Sequence, residues 1–91
     1  MKNSLKTVKD IELKLAELVE ESTLGSVPSV KATPDRKIID ELGLDSLDYA
    51  SVMLSCERWL GSKVDERSVN WREIQTLGQL AEVLFRSQEN A

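Results

Sequence analysis

The sequence predicts an all-α fold: a small helical bundle with three well-marked helices, one weakly marked short helix and one long loop. Two observations lead there. Apolar residues recur at helical spacing in three separate segments, and no segment alternates apolar and polar residues as a half-buried strand does. The chain is 91 residues long, 41% hydrophobic and 31% charged, which suits one small domain with enough apolar material for one core. No internal repeat is visible.

The first helix is expected from about Leu5 to Ser22. Val8, Ile11, Leu15, Leu18 and Val19 form one stripe, Lys9, Asp10, Glu12, Lys14, Glu17 and Glu20 fill the other side, and Leu13 points away from the stripe. Thr23 to about Lys37 reads as loop, because Gly25, Pro28 and Pro34 interrupt helix and Ser22, Ser26, Ser29 and Thr33 surround them. A loop this long in so small a domain is expected to be functional or packed by its own apolar residues, here Val27, Val30, Ile38, Ile39 and Leu42. Gly43 marks a stop. The second helix runs from Asp45 or Ser46 to Leu60, and Gly61 ends it. After the irregular Ser62–Val64, a short helix over Arg67–Glu73 is only weakly marked, since Ser68, Val69 and Asn70 are poor helix formers. The last helix begins at Thr76, where Thr76 and Gln79 fit a capping box. Leu77, Leu80, Ala81 and Leu84 form its stripe, and 87–91 reads as a frayed tail.

Composition removes several chemistries. With no His there is no His general base, no Ser-His-Asp triad and no His metal ligand. The single Cys56 cannot form an internal disulfide or a multi-thiolate zinc site, so the chain needs no oxidising compartment. A net charge of −4 argues against nucleic acid as the main partner and toward a basic partner surface. No apolar run approaches a membrane span. Met1–Ser4 leads into a charged amphipathic stretch rather than a signal-peptide core, so the cytoplasm is the expected location. A binding or carrier module is expected rather than an enzyme.

The second helix has two apolar faces. At about 100° per residue, Tyr49, Val52, Met53, Cys56, Trp59 and Leu60 gather on the side expected to face the core. Leu47, Ala50 and Leu54 gather nearly opposite, flanked by Ser51, Glu57 and Arg58. A helix that buries one face has no use for a second apolar strip, so a docking surface is one reading. Scattered surface apolar residues are the other. At the helix start, Asp45 or Ser46 can accept from free backbone N–H groups, and Asp48 suits the positive end of the helix dipole. Capping alone accounts for those residues. Alternatively, the Ser46 hydroxyl is modified, since a phosphate there is stabilised by the same N–H groups and dipole.

Leu42-Gly43-Leu44-Asp45-Ser46-Leu47-Asp48 resembles the attachment motif of acyl carrier proteins, in which the Ser carries 4′-phosphopantetheine. Ile38-Ile39-Asp40-Glu41 is similar to that family's apolar-then-acidic lead-in. Val64 followed by Asp65-Glu66 resembles its Ile/Val-Pro-Asp-Glu segment, and Ile74-Gln75-Thr76-Leu77 the entry to its last helix. The likeness runs from about Ile11 to Leu84 in the right order. Asp-Ser-Leu-Asp leans toward an acyl carrier, since the Gly-Gly-x-Ser-Leu sequence of peptidyl carriers is absent.

The resemblance implies a four-helix bundle of acyl-carrier type with a long loop between helices 1 and 2 and a short third helix. It implies a single carrier domain over 1–91, with its core at about 5–86. It implies no catalysis: a phosphopantetheinyl transferase moves the arm from coenzyme A onto Ser46, flanked by Asp45 and Leu47. An acyl, aryl or aminoacyl group then rides on the arm's thiol. Leu47, Asp48, Ala50, Ser51, Leu54, Glu57 and Arg58 match the family's partner-recognition helix, so acyl-loading, acyl-transfer or condensing enzymes would dock there on a monomer.

Four departures point to a specialised, free-standing carrier. Ser51 and Arg58 stand at usually acidic positions, which weakens the negative surface offered to basic partners. Asp65 replaces Pro. The Arg67–Glu73 region is about two residues longer than usual and holds Trp71. Tyr49 stands where a smaller residue is commoner.

Other conspicuous residues read as structural. Cys56 is a buried thiol, and Trp59 and Trp71 are core or rim packing, with Trp71 keeping cargo contact as an alternative. Glu20-Glu21, Asp40-Glu41 and the Lys2, Lys6, Lys9 patch are expected to be solvated charge. The rival reading from another class is an unmodified helical adaptor docking through Leu47, Ala50 and Leu54. A hydrolase using Ser46 as nucleophile lacks a base.

Overall fold

The computed structural model of the chain describes residues 6–61, 63 and 73–89. Among these, three α-helices and one 3-10 turn account for the regular structure: α1 (Val8–Ser22), the 3-10 turn Ser29–Lys31, α2 (Ser46–Leu60) and α3 (Leu77–Glu89). The chain is a small helical bundle. Val64-Asp65-Glu66, Trp71, Lys2 and most of the weakly marked helix at Arg67–Glu73 lie outside the described residues.

Helix α1 starts at Val8, three residues later than the apolar spacing suggests, because Thr7 caps it. Thr7 Oγ1 accepts from the Asp10 N–H, and Asp10 Oδ2 accepts from the Thr7 N–H, each at 3.1 Å. These bonds satisfy two N–H groups that have no partner inside a helix and hold the Asp10 carboxyl below its usual range. Ile11, Leu15, Ala16, Leu18 and Val19 are buried on the face that meets the rest of the bundle, while Leu13 points to solvent as expected. Helix α1 packs against α2, α3 and the 3-10 turn.

The connection to α2 is built rather than loose. The Ser29 N–H donates to Glu20 Oε1 at 2.8 Å, which ties the 3-10 turn back to α1. Val27 packs against the core, Ile38 and Leu42 are buried, and Ala32 and Leu44 join them. Two of the expected packing residues do not pack there: Val30 is 82% and Ile39 68% exposed. The 3-10 turn carries Val30 on its outer side, and Ile39 lies outside the turn whose inner positions belong to Ile38 and Leu42.

Residues 34–38 are strapped to the start of α3. Lys37 and Thr76 form an isolated antiparallel bridge. The Ile38 N–H donates to the Gln75 carbonyl at 2.8 Å, Leu77 N–H to Arg36 at 3.1 Å, and Gly78 N–H to Pro34 at 2.8 Å. A Cβ at Gly78 would lie 3.0 Å from that Pro34 oxygen, so any larger residue would have to push the Pro34 segment back by a few tenths of an ångström. The capping box at Thr76 forms as expected: the Thr76 N–H donates to Gln79 Oε1 and the Gln79 N–H to Thr76 Oγ1.

Two further expectations change. Helix α3 runs on to Glu89 instead of fraying from Ser87, because Gln88 is buried and exchanges hydrogen bonds with the backbone N–H and carbonyl of Lys6. Lys6 is not merely solvated either: its ammonium lies 5.0 Å from the centre of the Trp59 ring, and that of Lys14 5.8 Å. Of the two expectations for Trp59, core or rim packing, the half-buried ring takes the rim.

Candidate functional site

The turn before α2 is where backbone constraint and exposed side chains meet. Gly43 sits at φ +69°, in the left-handed region that glycine enters without strain. The Gly43 N–H donates to the Ile39 carbonyl and the Leu44 N–H to Ile38, each at 3.1 Å. Leu42 and Leu44 are buried on either side of this reversal. The Leu-Gly-Leu sequence thus fastens the chain to the core immediately before Asp45 emerges.

Asp45 takes the cap. Its Oδ1 accepts from the Asp48 N–H at 2.8 Å, and its carbonyl accepts from the Tyr49 N–H at 2.9 Å. Ser46 is the first helical residue, exposed, and its hydroxyl makes no hydrogen bond among the described residues. Of the two residues that the sequence offered as caps, one caps and the other is left with a free hydroxyl at the positive end of a 15-residue helix. Asp48, half-buried in the first turn, adds negative charge where the dipole favours it.

The faces of α2 fall as the helical spacing predicts. Val52 and Cys56 are buried, while Tyr49, Met53, Trp59 and Leu60 pack against the core from its edge. Leu47 is 79% and Leu54 58% exposed, and Ala50, Ser51 and Arg58 are exposed with them. The Ser51 hydroxyl lies 3.5 Å from that of Ser22 at the end of α1. Arg58 stands in the last turn, where its charge suits the negative end of the helix. Glu57 is half-buried, and its carbonyl accepts from Gly61, the left-handed residue that closes α2. Of the residues proposed for docking, Leu47, Ala50, Ser51, Leu54 and Arg58 are exposed along the helix that Ser46 begins, and Asp48 and Glu57 are half-buried.

Beside them runs a cavity of about 720 Å³, lined by Ser46, Tyr49, Ala50, Met53, Leu54 and Glu57 along α2 and by Ile39, Leu44 and Asp45 from the chain before it. Sequence reasoning missed the part of Ile39. The signal available was the adjacent pair Ile38-Ile39, of which the turn buries only Ile38. Burial of Tyr49 pushes its phenol up to about 12, so the ring enters this cavity wall uncharged. Burial likewise pushes the Cys56 thiol up to about 12, which leaves it an inert core residue rather than a nucleophile.

One member of each carboxylate pair, expected to be solvated charge, has a structural task instead. Glu41 Oε1 accepts from the Lys37 N–H at 2.8 Å, and its other oxygen lies 3.5 Å from Arg36, which fixes the lead-in to the site. Glu20 holds the 3-10 turn. Among the described residues no group of acidic or cysteine side chains could hold a metal ion, and no helix is long and apolar enough to cross a membrane.

Residues 14–84 match the family model described as a phosphopantetheine attachment site. No solved structure matches the chain.

Proposed function

The chain belongs to the phosphopantetheine attachment family, and from that premise we propose that it is an acyl carrier whose arm is joined to Ser46. Domains of this family hold 4′-phosphopantetheine covalently, and they work with a phosphopantetheinyl transferase and with the enzymes of a pathway. The observation that carries the assignment to Ser46 is the division of labour at the helix start. Asp45 satisfies the cap, and the Ser46 hydroxyl is exposed and unengaged among the described residues.

These residues fit the group. A phosphodiester on Ser46 Oγ would meet the N-terminal N–H groups and dipole of α2, which favour negative charge. The exposed first turn leaves room for a transferase to reach Ser46 from outside. In the transfer, the Ser46 hydroxyl would give its proton to a base of the transferase, and Oγ would form the new P–O bond as the pyrophosphate bond of coenzyme A breaks and adenosine 3′,5′-bisphosphate leaves. When bound, the arm supplies a thiol that holds an acyl group as a thioester. The chain's own residues do no bond-making on that cargo: they display the arm and dock its users. Asp45 and Leu47 flank the acceptor for the transferase. Leu47, Asp48, Ala50, Ser51, Leu54, Glu57 and Arg58 form the face that pathway enzymes would read. With Ser51 and Arg58 on it, that face suits partners less basic than those of ordinary fatty-acid synthesis. A specialised lipid or secondary-metabolite pathway follows from the same reading, with the carrier in the cytoplasm. We take the whole of 1–91 as one carrier domain of the four-helix type that the resemblance implies. Family membership favours this over the unmodified adaptor.

Intact mass after incubation with coenzyme A and a broad-specificity transferase tests the attachment. A gain of one phosphopantetheine on the wild type and none on Ser46→Ala is expected. A gain on Ser46→Ala, or none on folded wild type with transferases of more than one class, overturns it.

A further inference from the structure

We propose that Tyr49 sets the depth to which cargo enters the protein. It would restrict the groove beside Ser46 to an uncharged acyl group that lies along α2 without passing into the core. The inference rests on Ser46 carrying the arm.

Three residues, Leu44, Tyr49 and Met53, line the cavity and also pack on the core, so they form the wall between the two. Leu44 is fastened by the Gly43 turn, and Met53 is unbranched and adaptable. Tyr49 is the bulky, stiff member, one helical turn from Ser46, and its hydroxyl oxygen is buried. Ser46 lines the same cavity, so a group tethered there meets the groove at high effective concentration. The groove is mostly apolar, and the Asp45 carboxylate at its Ser46 end is engaged in capping α2. A terminal carboxylate gives up its hydration on entering so apolar a groove, and a neutral acyl group does not. A cavity of this size takes a small ligand without help from the core.

The test loads wild type, Tyr49→Ala, Tyr49→Leu and Tyr49→Phe with hexanoyl, dodecanoyl and adipoyl groups. A transferase moves each from the matching acyl-coenzyme A, and cleavage of the thioester by hydroxylamine is timed. Each methylene newly buried shifts the cargo about fourfold toward the protected state. In the wild type, hexanoyl is expected to be cleaved several-fold more slowly than adipoyl. Tyr49→Ala is expected to slow dodecanoyl cleavage about tenfold while leaving hexanoyl unchanged. Tyr49→Leu, a milder truncation, moves the same way, and Tyr49→Phe keeps the wild-type pattern. Dodecanoyl cleavage unmoved in both truncations overturns the role of Tyr49. Equal cleavage of wild-type hexanoyl and adipoyl overturns the preference for uncharged cargo. Intact mass separates these from failure of the premise: a folded wild type that gains no arm overturns the Ser46 reading and this inference with it.

Discussion

Ser46 and its neighbours show how one residue type is released for chemistry by another. Aspartate and serine both cap helices, and either satisfies the same N–H groups. Because Asp45 Oδ1 accepts from Asp48, the hydroxyl of Ser46 has no structural task among the described residues. The same scale gives a pH prediction. Burial raises the thiol of Cys56 from 9.0 and the phenol of Tyr49 from 10.0, each to about 12. Folded protein therefore keeps protons that the unfolded chain has lost. Stability from these groups is whole below pH 9 and is lost as pH rises toward 12. Denaturant midpoints measured across the alkaline range should fall from about pH 9, and Cys56→Ala should remove the first part of that fall.

Among the elements, each end shows a different way of meeting the unpaired backbone groups of a helix. Both α1 and α3 begin with a Thr and a partner three residues on, a pattern readable from sequence. The end of α1 is less favourable. The Leu24 N–H donates to Glu21 and the Gly25 N–H to Glu20, the paired bonds that close a helix around a left-handed residue. That residue is Leu24, at φ +54° and 94% exposed, where a glycine would sit without strain. Leu24→Gly should stabilise the fold by about 0.5–1 kcal/mol, after the greater entropy of glycine in the unfolded chain is set against the relieved strain. A urea titration checks it; a loss of stability would mean that the exposed leucine has a contact that outweighs its backbone.

At the scale of the whole molecule, α1 is the shared partner of the bundle, and two long-range ties hold its surroundings in register. One is the strap of residues 34–38 against the first turn of α3, which fixes the chain leading to Ser46. The other is Gln88, whose side chain both donates to and accepts from the backbone of Lys6, 82 residues away in sequence. A buried amide that loses its partners leaves backbone groups unsatisfied, at about 1–3 kcal/mol. Gln88→Ala should lower stability by about that much and speed amide exchange at Thr7 and Val8 before it affects α2. Uniform acceleration over all three helices would mean that the ends are not a separate unit.

Helical periodicity by itself determined the three helices, the buried stripe of α3 and the two faces of α2. The reason is that burial on a helix follows its 3.6-residue repeat. Glycine and capping chemistry likewise located the ends of α2, since few residues serve there. The motif around Ser46 was legible as a local run. Only the tertiary structure decided what depends on residues far apart in sequence. It chose Asp45 over Ser46 for the cap, turned Val30 and Ile39 outward while Ala32 and Leu44 packed, and extended α3 through Gln88. It also made Tyr49 a wall between groove and core. Each of these depends on which surfaces meet, and local propensity is the same in either outcome.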